Sequence, residues 1–281
     1  MPMKVTVQDA SCGALVHGLN LAQPLDAVTL EAVRALWLKH QVLGFVEQQL
    51  TLDALERFAL AIGPYGVDPY FESVPGHPHV AQVKREADET SSLFADNFHS
   101  DWSFLAQPPA ATLLYGEVIP PVGGDTLFAN QYAAWDALPA AMQARLRPLQ
   151  GVHSARRGYA KSGRYGEQDQ GRSMAIRFDD SALATQLQPV ARVHPETGRT
   201  ALYVSPGYTI GIDGLPDNEA QPLLHELFEH QARPEFVYRH VWQQGTLLLW
   251  DNRCLVHAAT GGYQGHRRLL NRITVGDRVP A

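Results

Sequence analysis

The chain reads as a mainly β fold with a few flanking helices, in a closed or double-sheet architecture. Two observations predict it. Short apolar runs recur between Gly- and Pro-rich turns over the second half of the chain, and helical periodicity is confined to a few separate segments. No repeat, low-complexity tract or linker divides the 281 residues. One domain spanning 1–281 is therefore expected, a size that barrels and sandwiches reach as single units.

Taken in order, residues 28–39 carry apolar side chains at helical spacing. The run 41–46 (Gln-Val-Leu-Gly-Phe-Val) reads as a buried strand, and Thr51 as the N-cap of a helix stopped by Gly63-Pro64. Residues 109–119 and 124–129 are strands separated by a Pro-Pro-Val-Gly-Gly turn. A helical pair broken at Pro139 follows over 131–147. Strands are expected at 199–205 and 245–251 with a helix between them at about 218–231, and the last periodic element is 267–276. Two polar stretches lack any period: 84–97, which runs into His99, and 156–173, rich in Arg, Gly, Gln and Ser. Long loops in compact domains commonly serve as lids, so lids are expected at about 65–97 and 156–173. An ordinary solvated loop fits 156–173 equally well.

A formal net charge of −6 with no basic run argues against nucleic acid and anionic membrane as partners. Arginine is dense only at Arg156-Arg157 and at Arg267, Arg268 and Arg272, clusters suited to small anions. Cys12 and Cys254 are the only cysteines, so no disulfide framework is expected and a reducing cytoplasm is the natural setting. The opening residues lack a secretory h-region, and no apolar stretch approaches transmembrane length.

Chemistry concentrates in two places. His99 and Asp101 form a His-x-Asp pair whose side chains share a face if the segment is a strand. With 12 histidines in the chain such a pair arises readily by chance. His257 adds weight because it follows the strongly apolar run Gly-Thr-Leu-Leu-Leu-Trp at 245–250 and so sits just past a rigid element. Two imidazoles and a carboxylate hold one face of a ferrous ion and leave three positions open for dioxygen chemistry; zinc accepts the same donors. His153 and His240 lie near strands and compete as ligands, whereas His77, His79, His225, His230 and His266 read as loop or surface residues. In Arg267–Arg272, alternation puts Arg268, Leu270 and Arg272 on one face. Two inward guanidiniums need anions, either core carboxylates such as Asp251 or Asp125, or small-molecule acids.

Five segments in this order, Phe98-His99-Ser100-Asp101, Pro121-Val-Gly-Gly-Asp-Thr126, Glu235-Phe-Val-Tyr-Arg-His240, Trp250-Asp-Asn-Arg253 with His257, and Arg268 through Arg272, make nearly the whole chain resemble the taurine dioxygenase / 2,4-D dioxygenase family of Fe(II)- and 2-oxoglutarate-dependent oxygenases. The resemblance implies a double-stranded β-helix (jelly roll) with helices outside. It implies that His99, Asp101 and His257 ligate iron, that Thr126 and Arg268 hold the distal carboxylate of the co-substrate 2-oxoglutarate, and that Arg272 binds the acidic group of the prime substrate. Halogenating relatives lack the carboxylate at the place of Asp101, so hydroxylation with dioxygen is the implied outcome. Self-association is common in such families, leaving a homo-oligomer open. Asp68 and Ala95 stand where taurine enzymes carry a histidine and an asparagine, while Tyr70, Phe71, Tyr159 and Tyr208 suggest an aromatic pocket. The expected substrate is thus a larger small-molecule organic acid (carboxylate, sulfonate or sulfate ester), oxidised next to a heteroatom with release of an aldehyde or keto acid. Alternatives are a taurine dioxygenase proper, a zinc-dependent hydrolase, a non-catalytic jelly-roll protein binding small acids, and nucleic-acid demethylation, which the acidic balance disfavours.

Overall fold

The computed structural model describes residues 3–278, so both ends of the expected 1–281 unit lie outside the described residues. The N-terminal part runs β1 (Lys4–Val7), β2 (Ala14–His17), α1 (Ala27–His40), β3 (Val42–Phe45), α2 (Leu52–Ile62), β4 (Ser73–Val74) and β5 (His77–Arg85). The middle runs β6 (Ala111–Val118), β7 (Thr126–Asn130), α3 (Gln131–Asp136), α4 (Ala140–Leu146), β8 (Gln150–His153) and α5 (Arg156–Tyr159). Then come β9 (Gln186–Pro189), β10 (Ala191–Val193), β11 (Thr200–Leu202), β12 (Thr209–Ile212) and α6 (Asp217–Gln231). The chain closes with β13 (Val237–His240), β14 (Leu247–Asp251), β15 (Leu255–Ala259) and β16 (Arg268–Val275).

Eight strands form the main sheet in the order β1-β2-β3-β14-β6-β16-β5-β4, and β13-β7-β15 form a second sheet. Two small sheets, β12-β8-β9 and β10-β11, complete the fold, and none of the four closes on itself. The protein is therefore mainly β with a few helices, in separate sheets rather than the closed form the sequence also allowed.

The core explains the apolar run at β14. Leu247 and Leu249 face a cluster with Val33 and Trp37 of α1 and Leu55 and Phe58 of α2. Leu248 and Trp250, one residue out of phase, face Phe128 and Tyr238 of the second sheet. A strand covered on both faces needs apolar side chains at every position, so alternation disappears. The same split separates Leu113 from Leu114 on β6 and Ile273 from Leu270 on β16. Local chemistry sets the helix ends. Asp26 accepts a 2.7 Å hydrogen bond from Thr29 N to open α1, and Thr51 caps α2 through Ala54 N at 3.2 Å.

Several sequence expectations need correction. The stretch 65–97 is not one loop: β5 runs through it and pairs antiparallel with β16 from Arg268↔Arg85 to Arg272↔Ala81. His257 does follow the end of the apolar strand, β14, but it lies on a further strand, β15, opposite Phe128 of β7. Many of the other strands missed from sequence, among them β8, β12 and β13, have four residues, too few to show a period.

Asp251 and Arg253 belong to a buried ionic knot. Asp251 Oδ1 accepts from Arg253 Nε at 2.8 Å, and Oδ2 from Arg253 Nη2 at 2.7 Å and His194 Nε2 at 3.0 Å. Arg253 Nη1 reaches Glu196 and Asp277, and the guanidinium lies over Trp37. His194 Nδ1 accepts from the backbone N–H groups of Glu196 and Thr197, which fixes its Nε2 as the donor to Asp251. Although Cys254 is near, no lone pair of His194 is left for a metal. Removing one member strands the other charges in the interior. Asp251→Ala is expected to cost about 3–5 kcal/mol in urea-unfolding stability.

A second prediction concerns pH. His153 is buried between Ser103 and Thr209, and burial, aided by the Arg192 charge, pushes its imidazole down to about 3. An unfolded chain protonates this group near about 6.5. Its contribution to stability is therefore intact above about pH 7 and is lost as pH falls below about 6.5, reaching about 2 kcal/mol by pH 5. Unfolding at pH 7 and pH 5 is expected to differ by about that much less in His153→Gln.

Candidate metal and anion site

A single antiparallel bridge assembles the centre. His99 N donates to His257 O at 3.0 Å and His257 N to His99 O at 2.8 Å. This links the arm before β6 to β15 and sets the two imidazole centroids 4.2 Å apart. Gly207 packs so closely behind that a Cβ there would sit 2.7 Å from the Cβ of His99. Asp101 follows in a turn, not a strand, so its convergence with His99 comes from the turn geometry, in which Trp102 holds φ +47°.

Both Nε2 atoms face one carboxylate oxygen: His99 Nε2 is 3.7 Å and His257 Nε2 3.9 Å from Asp101 Oδ1. Three donor atoms, one from each residue, lie within 4.8 Å of one another. His99 Nδ1 pairs with Asn97 O at 2.9 Å, which fixes the tautomer and leaves the Nε2 lone pair facing the centre. His257 Nδ1 is buried without a partner among the described residues, so of the two imidazoles His99 alone has its second nitrogen held. The other carboxylate oxygen, Asp101 Oδ2, accepts from Thr112 Oγ1 at 2.6 Å. Thr112 accepts in turn from Asn252 Nδ2 at 2.9 Å, and Asn252 Oδ1 from Trp250 Nε1 at 2.9 Å. That relay leaves Oδ1 as the exposed donor. No spacing rule in the sequence points to Thr112, because it and Asp101 meet across separate elements.

Burial pushes both imidazoles down, His257 to about 3 with the neighbouring His99 and Arg272 charges adding to the effect. Burial alone would raise the Asp101 carboxyl, but Arg272 and the two histidines outweigh it and hold the group well below the usual carboxylate range. Two neutral imidazoles and one carboxylate facing a common point fit a divalent cation with an open face.

The arginines sit in different electrostatic settings. Arg268, buried at the start of β16, donates from Nη2 to Gly124 O at 2.9 Å while its Nε has no partner. No carboxylate among the described residues forms an ion pair with it, and burial lowers its guanidinium to about 10. Trp242 and Tyr263 flank it, and Trp242 Nε1 donates to Thr126 Oγ1 at 3.0 Å. A side chain on Gly124 (φ +72°) would come within 3.0 Å of Arg268 Nε, so this glycine of the Pro-Pro-Val-Gly-Gly turn is needed for close approach. Arg272 ion-pairs with Asp68, and its Nη2 lies 3.2 Å from Asp101 Oδ1 without hydrogen-bond alignment. Neither pairs with the carboxylates considered from sequence: Asp125 bonds Arg239 and Asp251 bonds Arg253.

One cavity of about 790 Å³, counted to its open mouth, brings together His99, Asp101, His257, Thr126, Arg268, Arg272, Tyr159 and Tyr208. Phe71, Phe94 and Trp102 add aromatic wall. Tyr70 does not line it. Its ring stacks on Tyr159 at 4.6 Å and its hydroxyl reaches Ser181, so it backs the wall instead. Arg156 and Arg157, grouped with anion sites from sequence, spend their guanidiniums on the carbonyls of Leu183, Pro206 and Thr209. His153 and His240 are buried away from the cavity lining. At the mouth the two polar stretches meet: Arg164 pairs with Asp96, Arg172 Nη2 donates to Ser92 O at 2.9 Å, and Ala95 N donates to Tyr165 Oη at 3.0 Å.

Fold and site define a non-haem iron dioxygenase dependent on 2-oxoglutarate (alpha-ketoglutarate). Residues 5–274 match the taurine catabolism dioxygenase TauD, TfdA family, to which the chain belongs. It is 32% identical over 264 residues to the (S)-phenoxypropionate/alpha-ketoglutarate-dioxygenase of Sphingobium herbicidovorans, covering 93% of this chain and 91% of that one. It is 31% identical over 268 residues to the alkylsulfatase of Acinetobacter baylyi, covering 95% and 83%. The solved structure of AAD-2 in complex with Mn(II) and N-oxalylglycine superposes with a TM-score of 0.80 at 29% identity, covering 100% of this chain and 99% of that one.

Thr112→Val removes the donor to Asp101 while keeping volume. It is expected to weaken Co(II) binding, followed by titration of the visible d–d bands, by about 10–100-fold. Thr112→Ser should restore most of it.

Proposed function

We propose that the protein hydroxylates a small organic acid, a carboxylate, sulfonate or sulfate ester, at a carbon beside a heteroatom, with collapse of the product to an aldehyde or keto acid and a leaving group. The observation that carries this is the placement of two buried arginines, one of them lacking any carboxylate, in the same aromatic cavity as the His99–Asp101–His257 triad. The relatives named above for phenoxypropionate and alkyl sulfate support an acidic substrate with an apolar body. The main and second sheets, with helices outside, are what a double-stranded β-helix requires, and that reading of the fold is part of the proposal. The unpaired Cys12 and Cys254 support a reducing cytoplasm.

Fe(II), held by His99, Asp101 and His257, would supply oxidation by dioxygen coupled to conversion of 2-oxoglutarate into succinate and carbon dioxide. Arg268 and Thr126 would take the distal carboxylate of 2-oxoglutarate, which provides the anion that the buried guanidinium lacks. Arg272 would orient the acid of the prime substrate, with Tyr159, Tyr208, Phe71 and Trp102 excluding water around its body. Segments 86–97 and 156–173, laced together at the mouth, would act as lids, which narrows the first lid from 65–97. Orientation and dryness are the protein's contribution; the metal and co-substrate carry the redox chemistry.

His257→Ala or His99→Ala is expected to abolish succinate formation in the presence of Fe(II) and 2-oxoglutarate; normal succinate release by either would overturn the assignment. Arg268→Ala should raise the KM for 2-oxoglutarate, whereas Arg272→Ala should act on the KM of the organic acid. The assay is coupled succinate release across a panel of alkyl sulfates, sulfonates and aryloxy acids.

A further inference from the structure

We propose that Asp68 is a specificity-determining residue. By pairing with Arg272 it engages that guanidinium in advance, so the enzyme favours acids with a large apolar body over small hydrophilic anions. This rests on the reading of Arg272 as the anchor for the substrate's acid group.

Asp68 lies between α2 and β4, and its Oδ1 accepts from Trp102 Nε1 at 2.5 Å and from Arg272 Nη1. Arg272 thus has a carboxylate on each side, the half-buried Asp68 at Nη1 and the buried Asp101 near Nη2, and its own burial limits the screening of both attractions. The two pairings outweigh the effect of burial and raise the guanidinium above its ordinary value. Its Nη2 is buried without a hydrogen-bond partner among the described residues.

The charge of Arg272 is already engaged: Asp68 pairs with it and Asp101 Oδ1 lies 3.2 Å from its Nη2. An acid group arriving at Arg272 must share it with these resident carboxylates and meets their like charge where water screens weakly. Without Asp68 one of the two competing charges is gone. Affinity withheld from the acid has to come from the rest of the substrate. The Phe71, Trp102, Tyr159 and Tyr208 walls offer it only to a body large enough to cover them.

Asp68→Asn tests this, since it keeps an oxygen acceptor for Trp102 and Arg272 and removes the charge. Binding of methanesulfonate and hexyl sulfate to the enzyme loaded anaerobically with Fe(II) and 2-oxoglutarate is measured by calorimetry. The variant is expected to bind both anions roughly tenfold or more tightly, by loss of a like charge within a few ångströms. The gain should be most visible for methanesulfonate, which lacks an apolar body. Asp68→Ser should show the same sign, and Asp68→Glu should return towards the original affinities. Damage to the fold lowers affinity and so cannot mimic a gain. Unchanged or weaker anion binding in both Asp68→Asn and Asp68→Ser, with melting temperatures preserved, overturns the proposal. Failure of the underlying reading looks different: the unmodified enzyme would then release no succinate with any acid.

Discussion

Everything at the centre depends on the pair of backbone hydrogen bonds between His99 and His257. Neither residue is close to the other in the chain, and His99 belongs to an arm with no ladder of its own. The bridge gives that arm the rigidity of β15, itself held by β7. It also forces two imidazoles together in a buried site, where both cannot carry charge. Burial keeps them neutral, while Arg272 keeps Asp101 ionised. A neutral pair and a fixed anion form a donor set suited to a divalent cation.

The two arginines of β16 show how one strand can present the same side chain in opposite states. Arg268 lies against a carbonyl and two aromatic rings with no carboxylate among the described residues, which leaves its charge without a counter-ion. Arg272 lies against two carboxylates and two further rings. One guanidinium lacks a carboxylate neighbour and the other is already engaged by two.

Rigidity comes from the layers around the centre. β14 and β6 are buried on both faces, between α1 and α2 on one side and the second sheet on the other. The Asp251–Arg253 knot at the end of β14 then ties the approach to β15 to α1 and to Asp277 near the C-terminal end. Those packed elements fix the backbone that carries His99, Asp101 and His257. The mouth, by contrast, is built from exposed ion pairs such as Arg164–Asp96, which contribute little stability in water.

Local physics made part of this protein legible in advance. The Thr51 cap, the Gly63-Pro64 stop, the break at Pro139 and the doubly buried run of β14 follow from short-range rules, and the structure has each of them. The triad and both arginines were found through motif order, since His-x-Asp by spacing alone is weak. Tertiary structure decided the rest. β5 contains Pro78 and has no clean alternation of burial, and β15 is buried at nearly every position, so neither shows a strand period; the expected lid at 65–97 concealed β5's pairing with β16, and β15 was missed although it carries His257. Tyr70 could not be told from Tyr159, because which of two stacked rings faces a cavity depends on packing from distant segments. Asp68 stood out by sequence only as a departure from taurine enzymes. Its partnership with Arg272, far along the chain, exists because an ion pair is set by distance in space, which residue order does not encode.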